Sequence, residues 1–382
     1  MLTRGQSASA LSAARRFTRL CGRVFLATAR PDELVEAASA LSPDQWHEVY
    51  ADAVTQGMAP MVYQMSANSG ALAAAPQAIA AIFASSYTRS LVNLRRIELQ
   101  LEEILHVFVE QQLDMLVLKG PPLVRRLYGD PALRPIGDLD LFARPGDLQR
   151  VCSVLISLGY RALPGYDSPR DFHALRGYTL IYRRGDEPLV EVHWRPVSLA
   201  SYQHAFAPSN LWRRSIHTKI GGKRARLLDP EDELRYLCVH YAAEHRGKRL
   251  IWLIDIARLL QSLPESWQWE RFTTTTIALG VATPILGALD DCQTMLGLDV
   301  SDAPVTALRA ATTSPAEKRA WTLAQATFYQ PRRLLAHART LETPQERMIL
   351  ARGALEWYLT EGWDWTQRRL RRARNRLSAR WR

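Results

Sequence analysis

An α+β architecture is expected of this 382-residue chain: helical regions at both ends and, between them, short strands alternating with helices. Two periodicities carry that expectation. Apolar residues recur at i, i+3 and i+4 from Pro31 to about Gln112 and again from Asp229 onward, whereas residues 113–228 hold short apolar runs bounded by turn residues. The composition agrees, since 47% apolar and 23% charged residues exclude a disordered or collagen-like chain, and the length allows two or three units.

Residues 1–30 contain six Arg and no acid, which superficially resembles a transit peptide; with no cleavage signal they read as a basic N-terminal segment with an Arg-rich leading helix. Residues 31–112 form a helical N-terminal region, as in the run Ile97-Glu98-Leu99-Gln100-Leu101-Glu102-Glu103-Ile104-Leu105. The uncharged stretch 53–88 is interrupted by Gly57, Pro60, Asn68, Gly70 and Pro76 and is too weakly apolar for a transmembrane segment. Met115-Leu116-Val117-Leu118 then reads as a buried strand running into a turn at Lys119-Gly120, and Pro121 starts a helix through Tyr128. Leu139, Leu141 and Phe142 mark a second strand, and a helix from about Asp147 to Leu158 closes on Gly159 as a left-handed cap. Two runs, Tyr178 to Tyr182 and Leu189 to Trp194, flank Arg184-Gly185-Asp186-Glu187 as a hairpin. Asp229-Pro230 opens a helical C-terminal domain over 229–362, and 363–382 form an Arg-rich amphipathic tail.

The net charge of +11 sits at the ends. Residues 1–30 carry +6 and residues 363–382 carry +7, which leaves the 332 residues between them at −2. A duplex-binding groove across the middle therefore has no compositional support. The tail suits peripheral docking on an anionic membrane surface or on nucleic acid, or it is a solvated terminal helix. Cysteines 21, 152, 238 and 292 are too far apart for a zinc pattern and too few for a disulfide framework, so a reducing, cytoplasmic setting fits.

Asp138 and Asp140 stand i, i+2 on a predicted strand and project from one face, with Leu139 and Leu141 on the other. Alone, such a pair reads as a solvent-facing edge. Here a strand ending in Lys119-Gly120 precedes it and a third acid, Glu191, lies on a later strand. Three carboxylates on neighbouring strands suit a hard divalent cation, and a glycine turn at a helix start offers N–H groups to phosphate. Lys119 is one of only five lysines and reads either as a point charge on phosphates or as a solvated strand end. His193 shares the Glu191 face, where it positions a phosphate or acceptor or serves as a structural partner beside Trp194. His240 and His245 lie about 140° apart on an α-helix, a poor geometry for zinc. Arg249 and Asp255 brace the helical domain against the middle, or Arg249 touches a phosphate.

The stretches Leu118-Lys119-Gly120, Arg134-Pro135-Ile136-Gly137-Asp138-Leu139-Asp140-Leu141, Leu158-Gly159-Tyr160 and Val190-Glu191-Val192-His193-Trp194 resemble the uncharacterised nucleotidyltransferases of the polymerase-β-like superfamily. A helical region with His240, His245, Arg249, Leu250, Trp252 and Asp255 fits as well, so the resemblance spans roughly residues 20–290. It implies a polymerase-β-like core, a small mixed sheet with helices, in which Asp138, Asp140 and Glu191 are catalytic and bind magnesium or manganese. Lys119, Gly120, Arg134, His193 and Arg249 are the residues expected at the nucleotide and its phosphates. Two departures stand out. The superfamily's Gly-Ser turn is Gly120-Pro121 here, in which Pro121 supplies neither a hydroxyl nor an N–H, and the third acid is Glu where Asp is commoner.

The expected activity is magnesium-dependent transfer of a nucleoside monophosphate from an NTP to a small-molecule, peptide or protein acceptor, with release of pyrophosphate. A binding module of the same fold for nucleotide or nucleic acid, without turnover, is the alternative.

Overall fold

The computed structural model describes residues 12–326 and 330–359. All its strands fall between Leu116 and Leu227: β1 (Leu116–Val117), β2 (Asp138–Phe142), β3 (Arg161–Ala162), β4 (Thr179–Arg183), β5 (Leu189–His193), β6 (Ile216–Ile220) and β7 (Lys223–Leu227). They form one sheet in the order β3-β4-β5-β2-β1-β7-β6. The sheet is mixed, since β2 runs antiparallel to β1 but parallel to β5, and β1 runs parallel to β7.

The expected hairpin is β4 and β5, paired antiparallel from Thr179↔His193 to Tyr182↔Val190. A second hairpin, β6 and β7, was not anticipated. It turns on Gly221 and Gly222 at φ +54° and +76°, and two consecutive left-handed residues are what a tight hairpin turn needs. The helix that starts at Pro121 ends at Leu127, with Tyr128 extended as its cap.

Helical flanks enclose this sheet. In the long helix Gln77–Glu110, the residues Phe83, Leu94, Ile97, Leu101, Ile104, Leu105 and Phe108 are buried, tracing the apolar stripe that helical periodicity requires. Each such side chain contributes about 1.5–3 kcal/mol of burial, against about 1 kcal/mol for a cap such as Ser42 on the Gln45 N–H. Helix Ala13–Phe25 buries Phe17 and Cys21, so the Arg-rich leading segment is packed structure from Ala13 on. Residues 1–11 and the tail 363–382 lie outside the described residues. One buried cluster runs from Ala14 to Ala324 through the sheet and both flanks. Among the described residues no helix is long and apolar enough to cross a membrane.

Candidate active site

Strand register assembles the acids. Parallel neighbours with aligned Cα positions share a face, and β2 and β5 pair Asp140 with Glu191 and Phe142 with His193. Asp138, Asp140, Glu191 and His193 therefore project from one face, while Leu139, Leu141, Val190 and Val192 are buried on the other. Antiparallel β1 brings the end of its strand to β2, and there Lys119 Nζ stands 3.3 Å from Asp140 Oδ2.

Asp140 is the electrostatic centre. Burial alone would push its carboxyl up, but the Lys119 ammonium and the His193 ring, whose Nε2 is 3.1 Å from Asp140 Oδ1, hold it down at about 2. His193 is fixed on its other side by the Thr179 hydroxyl, 2.7 Å from Nδ1, and its Nε2 also lies 3.6 Å from Glu191 Oε2. Burial, followed by the charge of Asp140, raises the carboxyls of Asp138 and Glu191 above their ordinary values. Burial disfavours the Lys119 charge as well, yet Asp140, Tyr236, Asp138 and Glu191 together raise its pKa, so it stays an ammonium.

An ammonium can only donate, so His240 Nε2, 3.3 Å from Lys119 Nζ, is the acceptor and the ring carries its proton on Nδ1. Burial and the nearby Lys119 keep that imidazole neutral, well below its usual pKa. The chain here leaves α geometry. Residues His240–Glu244 form a π turn closed by the His245 N–H to the His240 carbonyl at 3.0 Å. This corrects the 140° separation expected of the two histidines: an i→i+5 turn brings their rings to 4.4 Å, both against Trp252.

Arg134, expected at phosphate, is buried and tied to Asp255. Its Nη2 donates to Asp255 Oδ2 at 2.8 Å, Nε lies 3.3 Å from both Asp255 oxygens, and Nη1 donates to the Pro135 carbonyl at 3.0 Å. Asp255 does brace the helical flank against the sheet region. Gly120, at φ +84° and ψ −140°, takes a conformation essentially restricted to glycine, and the helix behind it opens with Pro121 and Pro122. Neither proline has an N–H, so the first two helical positions offer nothing to an anion.

In front of β2 lies a cleft of about 920 Å³. Lys119, Gly120, Arg134, Asp138, Asp140 and Arg249 line it; Glu191 and His193 do not, and reach it through Asp140. Trp252 and residues of helix Gln77–Glu110, Arg89 and Ser90 among them, form other walls. No motif marks Thr179, Arg89 or Ser90, and their places depend on distant parts of the chain.

The family model of the uncharacterised nucleotidyltransferases matches residues 42–297, which span the helical flank, the whole sheet and the π turn. The chain belongs to this family. It is a transferase that moves a nucleotidyl group, so an NTP is its substrate. No curated protein matches the chain.

The site of this nucleotidyltransferase fits a divalent cation. One ligand atom each from Asp140, Glu191 and His193 lies within 4.8 Å of the others, and among the described residues buried Asp140 Oδ2 has no hydrogen-bond partner despite its ion pair with Lys119. Two carboxylates and one imidazole are a donor set that a divalent cation accepts. Asp138 falls outside that close group and His193 stands within it, a shift from the three carboxylates expected of the sequence.

Proposed function

We propose that the protein transfers a nucleoside monophosphate from an NTP to a small-molecule, peptide or protein acceptor, releasing pyrophosphate, with magnesium or manganese as cofactor. The observation that carries this reading is the β2–β5 register, which sets Asp140 beside Glu191 at the back of a cleft that Asp138 also lines. In the reaction an acceptor oxygen bonds to the α-phosphorus as the bond to the bridging oxygen breaks, and that electron pair leaves on pyrophosphate. Asp140, Glu191 and His193, with Asp138 at the cleft wall, are the residues that would hold the cation, which supplies charge neutralisation at the α-phosphoryl and the leaving group.

The acceptor's proton goes to Glu191, the carboxylate that the strand register sets beside Asp140. Lys119 keeps Asp140 ionised and His193 holds its orientation. In this reading residues 113–228 carry the chemistry, and segments 31–112 and 229–362 supply cleft walls. The cytoplasm suits its free cysteines.

Transfer of label from α-labelled NTP is the test. Asp138→Asn with Asp140→Asn should abolish transfer while wild type requires added divalent cation; undiminished transfer by the double variant would defeat the assignment. The two prolines after Gly120 favour a second reading, a nucleotide-binding module without turnover. Tight NTP binding by wild type with no pyrophosphate release would select it.

A further inference from the structure

An NTP in this cleft presents a strongly anionic triphosphate, and the groups that a sequence reading assigns to it are largely committed elsewhere. The Gly120 turn has two prolines where N–H donors would stand. Lys119 faces Asp140 and His240, and each nitrogen of Arg134 already donates to Asp255 or to the Pro135 carbonyl. Arg96, also at the cleft, spans to Asp186 at 2.9 Å.

Two other guanidiniums line the same cleft, and among the described residues no carboxylate pairs with either. Arg89, exposed on helix Gln77–Glu110, donates to Ser86 Oγ at 3.2 Å. Arg249, exposed at the N-cap of helix Leu250–Gln261, lies over the Trp252 ring at 5.3 Å. Next to Arg89, Ser90 is only 7% exposed and lines the cleft, and among the described residues its Oγ has no hydrogen-bond partner. A buried hydroxyl without a partner is costly unless a ligand satisfies it. Two guanidinium forks without a carboxylate partner among the described residues line the same cleft as this hydroxyl and make a site for phosphate oxygens, which guanidinium binds in a bidentate manner.

We propose that Arg89, Ser90 and Arg249 grip the β- and γ-phosphates of the NTP, in place of the N–H donors that Pro121 and Pro122 lack. Both helical flanks then belong to the active site: the acids of the sheet face the α-phosphorus, and the leaving pyrophosphate is held from the flanks. The identity of the ligand rests on the nucleotidyltransferase reading above, whereas recognition of oligophosphate by these three side chains can be measured without turnover.

The experiment is calorimetric titration of the full chain with NTP, inorganic tripolyphosphate and NMP, for wild type, Arg89→Ala, Arg249→Ala, Arg249→Lys and Ser90→Ala. Each Arg→Ala change should weaken NTP and tripolyphosphate by about 10–100-fold, the loss of a charged hydrogen-bonding group, with NMP affinity unchanged. Arg249→Lys should recover part of the loss, because charge returns without the fork. Both arginines are exposed, so the melting temperatures of these variants should match wild type, which separates lost binding from lost fold. Unchanged NTP and tripolyphosphate affinity in both Arg→Ala variants overturns the grip. So does a loss confined to the KM of an anionic acceptor, which would assign the arginines to that acceptor instead. Wild type that binds tripolyphosphate through these arginines yet never transfers label would sink the proposed activity and leave the grip standing. Transfer by wild type with the NTP KM unaltered in the variants would do the reverse.

Discussion

Replacing Asp255 by Leu should expose how much the Arg134–Asp255 tie contributes. The two side chains are 9% and 1% exposed, joined at 2.8 Å, and Asp255 Oδ1 also accepts the Tyr128 hydroxyl at 2.7 Å. Without Asp255 the guanidinium keeps one bond, to the Pro135 carbonyl, and is otherwise an unpaired, largely buried cation at the cleft wall. Breaking a buried pair by removing one partner costs about 3–5 kcal/mol, whereas replacing both partners by apolar groups of similar volume is often neutral. Arg134→Met and Asp255→Leu should therefore each lower stability by roughly 3–5 kcal/mol, with the orphaned Tyr128 hydroxyl adding about 1 kcal/mol to the second. The double variant should lose no more than either single, giving a coupling energy on the order of 3 kcal/mol. Urea unfolding with an unchanged slope reads these differences. Single costs under about 1 kcal/mol, or costs that simply add, would refute the account of the pair as mutually compensating. The consequence reaches the site, because Arg134 to Gly137 line the cleft and lead directly into Asp138.

Lys119→Met should release Asp140 from its low pKa and destabilise the cation-free protein by about 3 kcal/mol; added magnesium should then raise the melting temperature of the variant more than that of wild type, and equal shifts would count against Asp140 as a cation ligand. Burial pushes the imidazoles of His245 and His337 down to about 4, helped at His245 by Lys119. An unfolded histidine protonates near about 6.5, so between these values the unfolded chain binds more protons and stability falls as pH drops, by up to about 3 kcal/mol per buried ring, levelling off near 4 on this account. A melting temperature that stays flat from about pH 7 to about pH 4.5 would contradict that sign. Gly57, at φ +70°, ends helix Pro43–Gln56, and a Cβ there would stand 2.8 Å from Ile251 Cγ2, so Gly57→Ala should cost more than about 1 kcal/mol in chemical denaturation.

Much of the site was legible because its chemistry follows a local period. A strand repeats every two residues, so Asp138 and Asp140 had to share a face whatever the rest of the chain did. The β6–β7 hairpin escaped notice although Gly221-Gly222 signals it, because its residues are mostly polar and half exposed and give little alternation to detect. The histidine pair shows a different limit. Sequence spacing on an α-helix separates His240 from His245, but the π turn that joins them is held by tertiary contacts, including Glu244, which accepts the N–H and hydroxyl of Ser198 at 2.8 Å. Nothing in the five residues themselves announces that widening.

Local sequence thus sufficed for most helices, for the strands β2, β4 and β5 and for the shared face of Asp138 and Asp140, since propensity, turn residues and periodicity act over a few residues. Pairing was decided only when the chain closed. Lys119 meets His240, and Arg134 meets Asp255, each across 121 residues, and Arg89 enters the cleft from a helix that precedes the first strand. The competition among partners for each buried charge is settled by which groups share a desolvated space, and that space exists only in the folded chain.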